Sequence, residues 1–191
     1  MSQLNAQEIE ALCRSPSLYA PVKNDRSLPM ISPFTSTRAV VNGSSYGLSA
    51  ASYDVRIAHD LTLGPNPAAS IAKSGYMSVP LKPQEPFYAL AHTLEDLAIP
   101  ADVCAYVIDK STYARRFVSA FNTYIDPGFY GNLTLELINH GPDCIQIKAG
   151  DPICQLVFHW LTAPTDRPYA GKYQAQKREA VGPIFEVGLP S

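Results

Sequence analysis

The sequence predicts a mainly β protein, a sandwich or barrel of antiparallel strands with short helices. Short apolar stretches recur at intervals of roughly 8 to 15 residues, and turn residues separate them. The chain of 191 residues has seventeen prolines against eleven glycines, which favours short strands and turns over long helices. This length fits a single domain with a substantial core.

The N-terminal pattern predicts one short helix over residues 6–14. Asn5 can cap its start, and Glu8, three residues later, completes a capping box. Pro16 follows the pattern and ends it. The apolar face of this helix is formed by residues at helical spacing, namely Ile9, Leu12 and Cys13.

The other elements are predicted as strands. In residues 53–57, apolar side chains alternate with Asp54 and Arg56, which is the pattern of a half-buried strand. Residues 103–108 are almost wholly apolar, as in a buried strand. Turn signals such as Asn42-Gly43 separate these stretches. The complete set of predicted strands is 40–41, 53–57, 61–63, 77–81, 86–94, 103–108, 117–125, 132–139 and 153–160.

Composition narrows the classes of function. The formal net charge of -2 argues against a nucleic-acid polymer or an anionic membrane as the main partner. The four histidines form no HxxxH or HxE pair, so we expect no protein zinc site. With no signal peptide and no membrane-spanning run, the expected location is the cytoplasm. There the cysteines would be reduced and mostly buried: Cys13, Cys104, Cys144 and Cys154.

Glu136 is the first candidate for chemistry, because it interrupts an apolar strand. In Asn132-Leu-Thr-Leu-Glu-Leu-Ile-Asn139 the leucines face one way, while Thr134 and Glu136 face the other. A partly buried carboxylate can act as a general acid or base with a pKa tuned by burial. A carboxylate that forms a structural ion pair with an arginine on a neighbouring strand fits the pattern equally.

Lys110, Ser111 and Arg115 form a second candidate cluster. Two cations and a hydroxyl in this spacing can bind phosphate or a polar base edge, although a solvated turn or short helix gives the same pattern. The segment Arg167–Gln176 combines aromatic, cationic and amide side chains that could clamp a phosphorylated ligand, or it could be a polar tail. Gln155, within an apolar strand, needs hydrogen-bond partners there.

Together these segments resemble the dCTP deaminase branch of the trimeric dUTPase superfamily. Each piece is weak alone, but their order and spacing along most of the chain are specific. The matching pieces are Ser45–Ser49, Ser52–Arg56, Leu90–Glu95, Ile99-Pro100, Lys110–Arg115, Ile125–Phe129, Leu133–Glu136 with Asn139, Ala149–Val157 and Lys172–Gln176.

The resemblance implies a distorted dUTPase-like β-barrel or jelly-roll-like sandwich that assembles as a homotrimer with active sites between subunits. One domain would span residues 1–191, with a mobile C-terminal lid at about 163–191. The implied reaction is zinc-independent hydrolytic deamination of dCTP to dUTP, with Mg²⁺ bound through the nucleotide phosphates.

The resemblance also implies roles for individual residues. Glu136 would be the general base that activates water, and Ser111 and Arg115 would position the water and stabilise charge. Lys110 would contact phosphate. The implied substrate-binding set is Lys110, Thr112, Tyr124, Asp126, Gln155, Tyr169, Lys172, Tyr173 and Gln176.

Two alternatives stay open at this point. Asp126 occupies a turn where dUTP-hydrolysing relatives keep an aspartate, so the chain could be a dUTP pyrophosphatase or a bifunctional enzyme. The chain also departs from the family pattern, with Asp109 in place of glycine, Arg116-Phe117 in place of a small residue and glycine, and bulky residues over 119–124. Such changes would fit an altered substrate or a nucleotide-binding regulator without turnover.

Overall fold

The computed structural model of the protein describes residues 2–14, 28–69, 86–121 and 123–185. Two helices and thirteen strands in this part of the chain have defined bounds. Helix α1 is Ala6–Arg14, and α2 is the single turn Ser111–Ala114. The predicted strand at 77–81 lies outside the described residues.

Helix α1 begins as its sequence predicts. The backbone amide of Asn5 donates to Glu8 Oε2 at 2.9 Å, and the amide of Glu8 donates to Asn5 Oδ1 at 3.0 Å, which completes the capping box. Ile9 and Cys13 are buried on the inner face. The predicted helix is therefore confirmed at both its bounds and its buried face.

The larger sheet has seven strands, in the order β10-β8-β13-β5-β4-β3, with β1 also paired to β13. All of these pairings are antiparallel. The strand bounds are β1 Ser2–Gln3, β3 Ala39–Val41, β4 Ser44–Leu48, β5 Tyr53–Arg56, β8 Val103–Asp109, β10 Tyr124–Ile125 and β13 Pro152–Trp160.

The second sheet has four strands, in the order β2-β7-β11-β9, and β6 pairs with β12 in a separate two-stranded sheet. These pairings are also antiparallel. The bounds are β2 Ile31–Ser32, β6 Leu61–Leu63, β7 Tyr88–Ala98, β9 Val118–Ala120, β11 Tyr130–Asn139 and β12 Ile145–Ile147. The prediction of a mainly β fold with short helices is confirmed.

The single strand predicted over 117–125 is wrong. The chain forms two short strands there, β9 in the four-stranded sheet and β10 in the seven-stranded sheet. A strand that leaves one sheet for another turns a corner. On the β9 side Phe121 N donates to Glu136 O of β11, and on the β10 side Thr123 O accepts from Val107 N of β8. This corner brings β10 and the turn after it beside β11, where the candidate site lies.

Buried side chains from both main sheets and from α1 form one apolar cluster. An ion pair also joins the sheets, because Arg56 Nε on β5 lies 2.7 Å from Glu95 Oε1 on β7. The Glu95 side chain is fully buried and also accepts from the Arg56 amide. A buried carboxylate paired in this way fixes one strand against the other, since loss of either partner leaves an unpaired buried charge.

The C-terminal segment, residues 161–185, begins beside residues 101–102 and then contacts β11 through residues 174–181 without forming a regular strand. The amide of Ala175 donates to Tyr130 O at 2.9 Å, and Gly131 forms an isolated parallel bridge with Gln176. The Gln174 side chain accepts from the Tyr130 amide and donates to Gly128 O and Tyr169 O. These bonds hold residues 169–176 against the strand that carries Glu136.

No helix within the described ranges combines the length and apolar character needed to cross a bilayer. Cysteines 13, 104 and 154 are buried as expected, while Cys144 is exposed, and none of the four forms a disulfide within the described residues.

Candidate active site

A cavity of about 430 Å³ opens between β11, the β10 end of the larger sheet and the C-terminal segment. Glu136 projects into it from the middle of β11. The strand alternates as predicted, because Leu133, Leu135 and Leu137 are buried in the core while Glu136 is only half-buried. Six of the sequence-predicted site residues line this cavity: Tyr124, Asp126, Glu136, Tyr169, Tyr173 and Gln176.

The Glu136 carboxylate has no cation to balance it among the residues that the structure describes. Burial raises its pKa above the ordinary value near 4.5, and its own backbone amide offsets only part of this shift. The structural alternative, an ion pair with an arginine on a neighbouring strand, is realised at Glu95 instead. A half-buried carboxylate with a raised pKa is a stronger base than an ordinary glutamate and is suited to taking and returning a proton.

The turn Asp126–Phe129 shapes one wall of the cavity. The Phe129 amide donates to Asp126 O at 3.2 Å, and Gly128 has φ +86°, which a glycine adopts without strain. Asp126 is exposed at the rim. The prediction that Asp126-Pro127-Gly128 forms a turn is thus confirmed.

Tyr124 lines the cavity at the start of β10, two residues before Asp126. Its ring packs edge-on against Tyr106 at a centroid distance of 5.1 Å, and burial together with a hydrogen bond to Cys104 raises its hydroxyl pKa well above the ordinary value. The Tyr124 ring therefore supplies an aromatic part of the cavity wall that is attached to the larger sheet.

The C-terminal segment closes the cavity with Tyr169, Tyr173 and Gln176. Tyr169 O–H accepts from the Tyr173 amide at 3.1 Å, and Tyr173 O–H accepts from the Ile184 amide at 3.1 Å. Each of these hydrogen bonds joins two residues of the C-terminal segment and so holds the segment in its folded shape.

The other six predicted site residues do not line the cavity. Ser111, Thr112 and Arg115 are exposed on and just after α2, and Lys172 is exposed with its ammonium 5.5 Å from the Tyr173 ring centroid. Gln155 is half-buried on β13, opposite Asp54 and Ile108. One chain therefore assembles only part of the predicted site.

Lys110 is buried and forms an ion pair with Asp54, with Nζ 2.5 Å from Oδ2. Next to it, the Tyr113 hydroxyl donates to Asp151 Oδ2 at 3.0 Å. These two contacts anchor α2 to β5 and to the turn before β13. They leave Ser111 and Arg115 on the outer side of the turn.

The departures from the family pattern have structural explanations. Asp109 Oδ1 accepts the amide of Ala120, so this side chain holds the end of β8 to β9. Phe117 has φ +63°, a conformation that glycine adopts without cost and that is strained in a phenylalanine. Phe117 and Phe121 are exposed and do not line the cavity, whereas Tyr124 does.

Sequence reasoning missed Thr134 and Val181, which both line the cavity. Thr134 lies on the same face of β11 as Glu136, so strand alternation was a signal that could have identified it. Val181 gave no such signal, because the segment that contains it has no periodic pattern. Within the described part of the chain, no three His, Cys, Asp or Glu side chains are grouped to hold a metal ion.

The fold and the cavity define a class, namely a mainly β protein with a half-buried carboxylate in a cavity beneath a folded C-terminal segment. A family model described as dCTP deaminase-like matches residues 36–161. The chain belongs to this dCTP deaminase-like family, in agreement with the sequence resemblance.

Curated relatives agree with this assignment. The chain is 35% identical over 161 residues to a dCTP deaminase of Acidiphilium cryptum, covering 78% of this chain and 87% of the relative. It is 34% identical to a dCTP deaminase of Helicobacter pylori over 77% of this chain and 86% of the relative. A dCTP deaminase of the archaeon Thermococcus kodakarensis is 33% identical, with 72% of this chain and 86% of the relative covered. Among solved structures, the native EIAV dUTPase aligns at a TM-score of 0.45 and 16% identity, covering 65% of this chain and 87% of that one.

Proposed function

We propose that the protein hydrolyses dCTP to dUTP and ammonia in pyrimidine deoxynucleotide metabolism in the cytoplasm, without zinc. One observation carries the proposal: Glu136, with a raised pKa and no cation partner among the described residues, projects into the cavity closed by the C-terminal segment. Relatives named dCTP deaminase support the choice of nucleotide.

In the proposed mechanism, the Glu136 carboxylate takes a proton from water while the water oxygen bonds to C4 of cytosine, and it passes that proton to N3. The carboxylate then takes the remaining hydroxyl proton and gives it to the amino group, so that the C4–N bond breaks, ammonia leaves and a C4 carbonyl forms. Zinc deaminases activate the water with a bound metal. In this protein the Glu136 carboxylate, made more basic by burial, would activate the water instead. Mg²⁺ would enter with the substrate, bound by its phosphate oxygens.

Ser111 and Arg115 would reach this cavity from a second copy of the chain in the proposed homotrimer. Both are exposed, Ser111 on α2 and Arg115 just after it, and both lie outside the cavity lining of their own chain. Large apolar side chains are also exposed beside Glu136, with Leu90 paired opposite to it and Phe121 next to it on the other side. An apolar surface around a catalytic carboxylate is consistent with coverage by a partner.

The remaining predicted residues would bind the nucleotide. Tyr124, Asp126, Tyr169, Tyr173 and Gln176 would contact it from the cavity walls, and Lys172 would approach the triphosphate as part of a lid that spans about residues 163–191. Lys110 would contact phosphate with the ammonium protons that Asp54 leaves free, since an ammonium has three donors. Thr112 and Gln155 would support the same end of the site.

The proposal is tested by incubating the protein with dCTP, dCMP and dUTP plus Mg²⁺ and separating the products. We expect dCTP to give dUTP, and Glu136→Ala to abolish this conversion while leaving nucleotide binding largely intact. Glu10→Ala on α1 is the matched control and should keep full activity. Turnover by Glu136→Ala, or no product from dCTP, would overturn the proposal.

A second candidate function rests on Asp126, which lines the same cavity as Glu136. An aspartate there could direct water to phosphorus, which would make the protein a dUTP pyrophosphatase or a bifunctional enzyme. Release of pyrophosphate from dUTP in the same assay, lost in Asp126→Asn, would identify this activity. Tight binding of nucleotide with no product would instead indicate a regulator.

A further inference from the structure

Thr134 joins the strand that carries Glu136 to two separate points of the C-terminal segment. Its side chain is buried, with 9% of the residue exposed. The hydroxyl donates to Gln176 Oε1 at 2.9 Å and accepts from the Val181 amide at 3.1 Å. Thr134, Glu136, Gln176 and Val181 all line the same cavity.

The chemistry of these groups fixes which way the Gln176 amide points. The Val181 N–H can only donate, so it occupies a lone pair of the Thr134 oxygen and leaves the hydroxyl proton for Gln176. That proton needs an acceptor, which is the Gln176 carbonyl oxygen. If the amide were reversed, two donors would meet the hydroxyl and its buried proton would lack a partner, at a cost in free energy.

An amide held in this way directs its NH₂ group away from Thr134. Among the described residues, the Gln176 side chain is bonded through Oε1, and Gln176 lines the cavity. A ligand group opposite Gln176 must then be a hydrogen-bond acceptor, such as a carbonyl or phosphate oxygen. A group that only donates, such as an exocyclic amine, would be rejected there.

We propose that Thr134 is a positioning residue for the nucleotide: it sets the Gln176 amide to offer donors to a ligand oxygen and holds Val181 over the cavity before the ligand binds. This inference rests on the proposed function for the identity of the ligand. The contacts with Gln176 and Val181 lie within the chain itself, so they can be tested separately.

The first experiment compares Thr134→Val, which keeps the shape and removes the hydroxyl, with Thr134→Ser, which keeps the hydroxyl. Binding of dCTP is measured by calorimetry in the Glu136→Gln background, so that no turnover occurs. We expect Thr134→Val to raise the Kd roughly three- to tenfold, as for the loss of one or two hydrogen bonds, and Thr134→Ser to stay close to the parent. Thr62→Val on β6, a half-buried threonine outside the cavity lining, should change nothing.

A double-mutant cycle separates positioning from general structural damage. If Thr134 acts through Gln176, then Thr134→Val should raise the Kd little further in a Gln176→Ala background. An equal effect in both backgrounds, or a Thr134→Val protein that binds dCTP as tightly as the parent, overturns the proposed role.

Amide hydrogen exchange in the protein without nucleotide tests whether the Thr134 hydroxyl anchors Gln176 and Val181 to β11. Exchange over residues 176–181 should accelerate in Thr134→Val and remain slow in Thr134→Ser. Unchanged exchange in Thr134→Val contradicts the anchor. If the parent fails to bind dCTP while Thr134→Val exchanges faster, then the proposed function fails and the anchoring contact stands.

Discussion

Two glutamates on adjacent strands show how the same side chain is adapted to different tasks. Glu95 is fully buried, and the Arg56 guanidinium and amide hold it. Glu136 is half-buried in a cavity and has no such cation among the described residues. Burial raises the pKa of both carboxyl groups. Only Glu136 has open space in front of it, so only Glu136 can exchange protons with a ligand.

The raised pKa of Glu136 predicts that the ionised form needed for activity makes the folded protein less stable. When folding raises the pKa of a carboxyl group, the group does not lower the free energy of unfolding at pH values below its ordinary pKa near 4.5. In that range the group is protonated in both the folded and the unfolded state. As the pH rises through the folded-state pKa, the charged form is disfavoured in the folded protein and stability is lost. We therefore expect Glu136→Gln to be more stable than the parent at pH 7 and equal to it near pH 3.

Thermal denaturation of both proteins between pH 3 and pH 8 checks this prediction, and the difference between them isolates Glu136 because Glu95 is common to both. In the active protein, kcat/KM should fall as the pH drops through the raised pKa, because the base must be ionised. A stability difference that does not change with pH would contradict the assignment of a shifted pKa.

At the scale of elements, the C-terminal segment depends on glycines in and after the turn at Asp126–Phe129. A Cβ at Gly128 would lie 2.6 Å from Pro168 Cβ and 3.1 Å from the Tyr169 amide nitrogen. A Cβ at Gly131 would lie 2.6 Å from the Gln176 amide nitrogen. The close approach of the backbones is what lets this segment reach the cavity.

Gly128→Ala should displace the C-terminal segment and weaken nucleotide binding. The control is Gly150→Ala, because Gly150 has the same φ of +86° with nothing within 4 Å of the added Cβ. Both variants carry the backbone strain, and only Gly128→Ala adds the clash. We expect Gly128→Ala to lower kcat/KM by about tenfold or more and to speed proteolysis of the C-terminal segment. Equal behaviour of the two variants would show that the clash has no effect on the segment.

At the scale of the whole molecule, the single chain places Glu136 in the cavity and leaves Ser111 and Arg115 outside its lining. The proposed homotrimer resolves this separation, since a second copy could present its α2 to the cavity. Symmetric assemblies commonly use such shared interfaces, in which each subunit gives one part of a site and receives the other.

Mixing two inactive variants tests this arrangement. Arg115→Ala and Glu136→Gln should each lose most activity alone. Coexpression should restore part of the activity, because some interfaces then combine an intact Glu136 with an intact Arg115. Random mixing in equal amounts restores roughly a quarter of the sites. Sedimentation should give the mass of three chains. If coexpression restores no activity while trimers form, Glu136 and Arg115 act within one chain or not together.

The sequence by itself determined the mainly β class, helix α1 with its capping box, the Asp126 turn and the face of β11 that carries Glu136. These features depend on local spacing and on alternation along a strand, and both are readable from residue order. The motif order was also enough to identify the family.

Only the tertiary structure decided that Glu95 rather than Glu136 holds the arginine, that residues 117–125 divide between two sheets, and that Thr134 binds Gln176 and Val181. Each of these outcomes joins residues far apart in the sequence or depends on which sheet a short segment enters. Such pairings are chosen by the packing of the whole core and by the need to satisfy buried polar groups, and neither leaves a periodic pattern in the local sequence.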